Sequence, residues 1–206
     1  MNNVQGPSES SRKSERHAHL LQVARALIAA KGLRSLKVRD VASAAGCSIG
    51  TVYNEFEDFD ALVLAVSRDT IDAIARAVSE AAVDDPVAHL HALGQRYLDF
   101  ATEHPNLLRA MFEHRMEDDR PFPEDLLDKV QATFALMVPP LVKLLPDSPG
   151  DQVVLLARTM FSAVHGIISL GIEERLVAVP PQMLRHQVEL FIATYLAGLG
   201  IGPVKR

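Results

Sequence analysis

Residues 38–56 read VRDVASAAGCSIGTVYNEF, and this stretch decides the fold. Val38, Val41, Ala42 and Ala45 recur at helical spacing and then stop at Gly46. Glycine tolerates the left-handed backbone that ends a helix and begins a tight turn. Ser48 follows as an N-cap whose hydroxyl can accept the N–H of Thr51, opening a second helix that ends near Phe56. Two short helices joined this way predict a helix-turn-helix. Small Ala42 lets them cross closely, while Val52 and Phe56 anchor the second to a core. Such a pair projects the start of its second helix into a DNA major groove, and small Ser48, Gly50 and Thr51 let the backbone approach bases and phosphates. Many helical hairpins share a glycine turn, so the pattern alone does not prove a DNA reader.

The chain around this motif is helical throughout. Leu20, Val23, Ala24, Leu27 and Ile28 predict a helix from Ser14 to Lys31, stopped by Gly32. Asp58 opens a long helix to about Ala82. Prolines then mark helix starts, because their missing N–H is not needed in a first turn: Pro86 to about Glu103, Pro105 to about Met116, Pro123 to about Leu145, Pro149 to about Glu174, and Pro181 to about Leu199. No segment alternates as a strand does. The expected fold is all-α with about nine helices. Its parts are a flexible basic arm (1–13), a three-helix helix-turn-helix domain (14–57), a connecting helix (58–82) and a regulatory and dimerisation domain (83–206).

Charge divides along the same line. The 206 residues carry a net charge of −5, which argues against a nucleic-acid partner until its distribution is considered. Residues 1–56 hold eight Lys/Arg against four Asp/Glu, and the remainder holds 13 against 22. A basic head on an acidic body suits docking on phosphate in one orientation. Two domains of different composition would show the same asymmetry. Cys47 is the single cysteine, so no intrachain disulfide can form and a reducing, cytoplasmic setting is expected. The polar first residues lack a secretory pattern, and the apolar run FSAVHGIISLGI is too short to read as a membrane span.

The stretch VRDVASAAGCSIGTVYNEFEDFDAL resembles the TetR family signature. Arg39, Asp40, Val41, Ala42, Ala45, Gly46, Ser48, Gly50, Thr51, Val52, Tyr53, Phe56 and Leu62 match at the family's spacing. The resemblance implies that Arg39, Ser48, Ile49, Gly50 and Thr51 face the bases, with Tyr53 and Asn54 on phosphates, while Lys37 near the start of the second helix offers DNA one further positive charge. Arg39 can address guanine O6 and N7 together. A surface salt bridge for Arg39 and a packed ring for Tyr53 are the plainer readings. The chain departs from the family at Glu55, where His or Tyr is common, at Phe59, where Lys is common, and at Lys37, where Thr is common. A carboxylate beside DNA repels phosphate, so Glu55 predicts modest affinity, with Arg12, Lys13 and Arg16 of the arm contributing strongly. Cys47 stands at a family Val and reads as a packed small side chain rather than a redox switch.

The C-terminal part offers no catalytic or metal constellation. His89 and His91 diverge on a helix, and His114 beside Glu113 and Glu117 reads as a solvated cluster. The chain is therefore not expected to be an enzyme, and no cofactor is implied. Large adaptable side chains make a candidate effector site for a largely apolar small molecule: Tyr97, Phe100, Met111, Phe112, Phe134, Met137, Phe161 and His165. Plain core is the alternative for each. HPNLLRAMF (104–112) and FSAVHGIISL (161–170) together resemble the TetR subgroup named for a Trp-His-Gly motif, with Phe161 at the Trp position and His165-Gly166 matching. Close helix approach is one reason for a mid-helix Gly166. By the same resemblance the last two helices form a homodimer, through Val153, Leu156, Met160, Val164, Ile167, Leu184, Val188, Phe191, Ile192 and Tyr195. One internal core would use the same pattern.

The expectation is a homodimeric regulator, a repressor released from a palindromic double-stranded operator by a small-molecule effector. A ligand-independent architectural DNA-binding protein and an all-helical enzyme with an accessory helix-turn-helix stand as alternatives.

Overall fold

A computed structural model describes residues 9–80, 83–116, 120–173 and 180–201. Among them are ten α-helices, one 3-10 turn (Leu33–Ser35) and no strand. The helices are α1 (Glu9–Lys31), α2 (Val38–Ala44), α3 (Ile49–Glu55), α4 (Phe59–Ser79), α5 (Pro86–Glu103), α6 (Pro105–Glu113), α7 (Glu124–Ala135), α8 (Val138–Leu144), α9 (Gly150–Ile172) and α10 (Pro181–Gly198). The tenth arises because the helix expected to run to Leu145 is two. Pro139 and Pro140 have no N–H to give the preceding turn, so α7 stops at Ala135 and the prolines fall in the first turn of α8.

Side-chain caps open three of the helices, α3, α4 and α5. Asp58 Oδ1 accepts the N–H of Ala61 at 2.7 Å ahead of α4, and Asp85 Oδ1 accepts that of Ala88 at 2.7 Å with Pro86 opening α5. The arm boundary differs from expectation. Helix α1 already begins at Glu9, so Arg12 and Lys13 are helical; residues 1–8 of the expected arm lie outside the described residues.

The chain divides into two compact units. One runs through Thr70 and takes in Asn106–Pro121; the other comprises Ile71–Pro105 and everything from Phe122. The division departs from a reading by position along the chain. Helix α6, expected in the regulatory part, supplies Leu107 and Ala110 to the core of the first unit. There they join Leu20, Ala24 and Ile28 of α1, Val41 and Ala42 of α2, Val52 of α3, Phe56, and Leu62 and Val66 of α4. Asn106 adds a tie within this unit, its Nδ2 donating to the Ala29 carbonyl at 2.9 Å. Helix α4 starts in the first unit and ends in the second. Its buried Ser67 and Thr70 donate to the carbonyls of Val63 and Val66, so neither hydroxyl is left unsatisfied.

In the second unit α9 packs against α10, α8, α7 and α5, and α10 against α5. Two glycines permit the closest approaches. A Cβ on Gly94 would stand 2.6 Å from Ile192 Cδ1, and one on Gly171 2.6 Å from Leu184 Cδ1. Gly166, expected at such a contact, faces open space within the chain.

Helix α9 also corrects the membrane reading. The helix extends back to Gly150, and α9 is the one described helix long and apolar enough to cross a membrane by length and composition. Its buried stripe, Val153, Ala157, Met160, Val164, Ile168 and Gly171, packs instead into the second unit.

Candidate DNA-reading face and candidate effector site

Between α2 and α3 the chain makes the turn that Gly46 allows. Gly46 has φ +68°, its N–H donates to Ser43 O at 3.2 Å, and the Cys47 N–H donates to Ala42 O at 2.9 Å. This pair of bonds is the Schellman closure of a helix. Ser48 then caps α3, its Oγ accepting the Thr51 N–H at 3.1 Å and lying 2.9 Å from Thr51 Oγ1. Cys47 packs partly buried against the core, and Phe59, standing where a Lys was expected, does the same.

All eight residues expected to meet DNA lie at the surface of the first unit or partly so. Ile49 and Tyr53 are each 47% exposed, large values for apolar or aromatic side chains beside a formed core. Lys37, Arg39, Ser48, Gly50 and Asn54 are exposed, and Thr51 is half-buried. The Arg39 side chain is 68% exposed, and its Nε makes a loose charge contact with Asp40 Oδ1 at 3.6 Å. An exposed pair of that length contributes little and leaves the guanidinium available.

Glu55 is not where sequence reasoning put it. Its side chain is 1% exposed, and Arg16 of α1 holds Oε1 at 2.5 Å through both Nε and Nη2. His17 Nδ1 lies 3.9 Å from Oε2, and the His17 ring packs on Phe56 with centroids 4.5 Å apart. The carboxylate is thus turned into α1 and neutralised. A partner 39 residues away carries no local sequence signal.

A second ionic cluster in this unit was also missed. Asp60 is buried, Arg120 Nη2 donates to its Oδ2 at 2.8 Å, and His114 Nε2 stands 3.1 Å from its Oδ1. Arg120 also donates to Asp58 at 2.9 Å, and this bond helps the Ala61 N–H hold the Asp58 carboxyl below its ordinary value. His114, expected in a solvated cluster, has a side chain only 9% exposed, because α6 belongs to this unit.

In the second unit four of the expected effector residues meet. Phe134 of α7 stands edge-on to Phe161 of α9 at 4.6 Å. Phe161 stacks on His165 at 5.7 Å and lies 5.4 Å from Tyr97 of α5. The Tyr97 hydroxyl is 2.8 Å from His165 Nδ1, and Ser169 Oγ is 3.2 Å from Nε2. Burial pushes the Tyr97 phenol well above its ordinary value and the His165 imidazole below its own, so both are neutral near pH 7. Either neutral tautomer can serve both contacts, one ring nitrogen accepting and the other donating, because each hydroxyl can take the complementary role. Met137 is half-buried at the α7–α8 junction. Phe100 is buried against His104, its ring 4.9 Å away. Met111 and Phe112 belong to α6 and hence to the first unit, outside the unit that holds the ring cluster. Among the described residues no group of three or more His, Cys, Asp and Glu is placed to hold a metal ion.

Most of the expected dimer face is interior to the chain itself. Val153, Met160, Val164, Leu184, Val188 and Ile192 are each 5% exposed or less and form the core of the second unit. Leu156, Ile167, Phe191 and Tyr195 are half-buried, and the Tyr195 hydroxyl donates to the Leu156 carbonyl at 3.1 Å. The apolar surface these helices leave uncovered is a different set: Leu155 (64%), Leu170 (58%) and Val154 (38%) on α9, Leu190 (57%) and Met183 (46%) on α10.

The fold and the exposed α2–α3 face define a helix-turn-helix protein with a separate all-helical C-terminal unit. Residues 20–66 match the model of the bacterial regulatory proteins of the tetR family, and residues 90–195, over half the chain, match the tetracycline repressor-like C-terminal domain. The chain belongs to the TetR family. Among curated proteins it is similar to the HTH-type transcriptional repressor KstR2 of Rhodococcus jostii (strain RHA1), 39% identical over 64 residues, 31% of each chain. KstR2 of Mycolicibacterium smegmatis is 36% identical over 66 residues, 32% of each. These matches span about a third of the relatives' length. Among solved structures, a protein of unknown function from Rhodococcus sp. RHA1 aligns with TM-score 0.73 at 23% identity, covering 96% of this chain and 98% of that one. A tetR-family transcriptional regulator from Streptomyces coelicolor aligns with TM-score 0.68 at 20% identity, covering 91% and 82%. At such identities the structures share the fold.

Proposed function

We propose that the protein is a transcriptional repressor that binds a near-palindromic operator as a homodimer and leaves it when a small molecule enters the second unit. The observation that carries this reading is the exposed α2–α3 face, where a capped, glycine-turned helix presents Ile49, Thr51 and Tyr53 beside exposed Lys37 and Arg39. The repressors to which the N-terminal third is similar support it. Its place of action is the cytoplasm, on double-stranded DNA.

Leu155, Leu170, Met183 and Leu190, with exposed Ser162, Ala193 and Ala197 between them, are the surface for a second copy. Large apolar groups left in water on two adjacent helices are what a four-helix dimer seam covers. Phe134, Phe161, Tyr97 and His165 line the effector site. Aromatic walls with one neutral hydrogen-bonding relay suit a largely apolar effector carrying a polar, uncharged group.

Anisotropy of labelled DNA titrated with the purified full chain tests the reading. Saturable, sequence-selective binding by two protomers, reversed by one class of small molecule, supports it. Unselective binding that no small molecule reverses would make the protein architectural, and turnover of a bound compound would make it an enzyme.

A further inference from the structure

Among the described residues, the first turns of α1 are mostly exposed. The buried stripe of α1 starts at Leu20, and from Glu9 to Glu15 only Ser11 is as much as half-buried. Yet these turns carry Arg12 and Lys13, four and three residues before Arg16 and therefore on its side of the helix. Arg16 is bound to Glu55, the last residue of α3, and His17 lies on Phe56. Glu55 is an odd choice for that position. A carboxylate at a helix C-terminus opposes the helix dipole, and one that is 1% exposed needs a charged partner.

We infer that Glu55 is a positioning residue: through Arg16 it fixes the outer turns of α1 against the end of the reading helix, so that Arg12 and Lys13 serve as helix-borne phosphate contacts. The inference rests on the DNA-binding reading above and deepens it. Its consequence runs against simple charge counting. Removing this acidic residue from the DNA-binding unit weakens binding, because the two cations it organises are lost as an ordered pair.

The test compares the full chain, E55Q, R12Q/K13Q and the triple variant. The probe is a duplex of 30 base pairs or so carrying the site selected by the full chain. R12Q/K13Q lowers the slope of log affinity against log salt by about four for the dimer, one per lost phosphate contact and two contacts on each protomer. E55Q alone lowers both slope and affinity in the same direction, on the order of tenfold in affinity. In the R12Q/K13Q background E55Q adds nothing. Amide exchange across residues 9–19 quickens in E55Q while α4 keeps its protection, which separates loss of positioning from loss of fold. If E55Q does not fold, R16K carries the test, since it keeps the charge and loses the guanidinium fork. Unchanged binding by R12Q/K13Q would sink the reading that α1 touches DNA. Weakened R12Q/K13Q with unaffected E55Q, or an E55Q loss that persists in the triple variant, would sink the positioning role alone.

Discussion

The hydroxyl of Tyr97 on α5 and Nδ1 of His165 on α9 lie 2.8 Å apart, joining two helices separated by 68 residues of chain. Tyr97 is 5% exposed, so its phenol has no water to turn to. Removing it leaves the imidazole short of a hydrogen-bond partner. Tyr97→Phe is expected to cost about 1–2 kcal/mol of stability, read as a lower urea midpoint with unchanged slope. A stability equal to that of the parent chain would mean the contact is not made in solution.

Burial holds His165, and likewise His91, below the ordinary histidine value. For His91 the nearby Glu189 charge opposes that shift without cancelling it. The native protein therefore binds fewer protons than the unfolded chain just below the unfolded value of 6.5. Stability from this source is complete above that pH and is lost as pH falls through the lowered folded values. Melting temperatures should decline from pH 7 toward pH 5, and less steeply in H91Q/H165Q. An unaltered pH dependence in that variant would contradict the assignment.

Leu155→Glu with Leu190→Glu should leave each chain folded and convert the dimer to monomer in sedimentation, because both side chains are more than half exposed within the chain. Val188→Glu, at a position with no exposure, should instead unfold the protein, since an unpaired charge cannot enter such a core. Dimers that survive the double substitution would move the interface elsewhere.

Gly94→Ala places a methyl 2.6 Å from Ile192 Cδ1 and should cost about 1–3 kcal/mol as the side chain is forced off its rotamer. Calorimetry reads this directly. The same substitution at Gly166, which faces open space, should raise the stability of the isolated chain by up to about 1 kcal/mol.

How much of this was legible in the sequence depended on the reach of each cause. Gly46 and Ser48 act within a few residues, and the turn and cap they predict are present, as are the helices expected to open at Asp58 and Pro86. Dense motif spacing likewise marked the helix-turn-helix, whose expected contact residues are exposed or half-buried. The Arg16–Glu55 bond, the burial of His114 and the membership of α6 in the first unit all depend on contacts between distant segments. The dimer face was misread for a different reason. Apolar residues at helical spacing look alike whether a helix of the same chain or of a second copy covers them, and Val153, Val188 and Ile192 turn out to be covered from within. Pro139-Pro140 was a local signal that the helix breaks, overlooked because the apolar pattern continues across it.

The central claim is that a dimer of this chain reads DNA through the α2–α3 face, with Arg39 of α2 addressing a base. Selection of bound duplexes from a random pool with the purified full chain tests it most directly, repeated with Arg39→Ala. The account predicts an enriched near-palindrome whose half-sites each lose preference at one base pair in the variant, at a cost of about 1–3 kcal/mol. A pool that stays random, or an enriched site without two-fold symmetry that Arg39→Ala leaves unchanged, would contradict it.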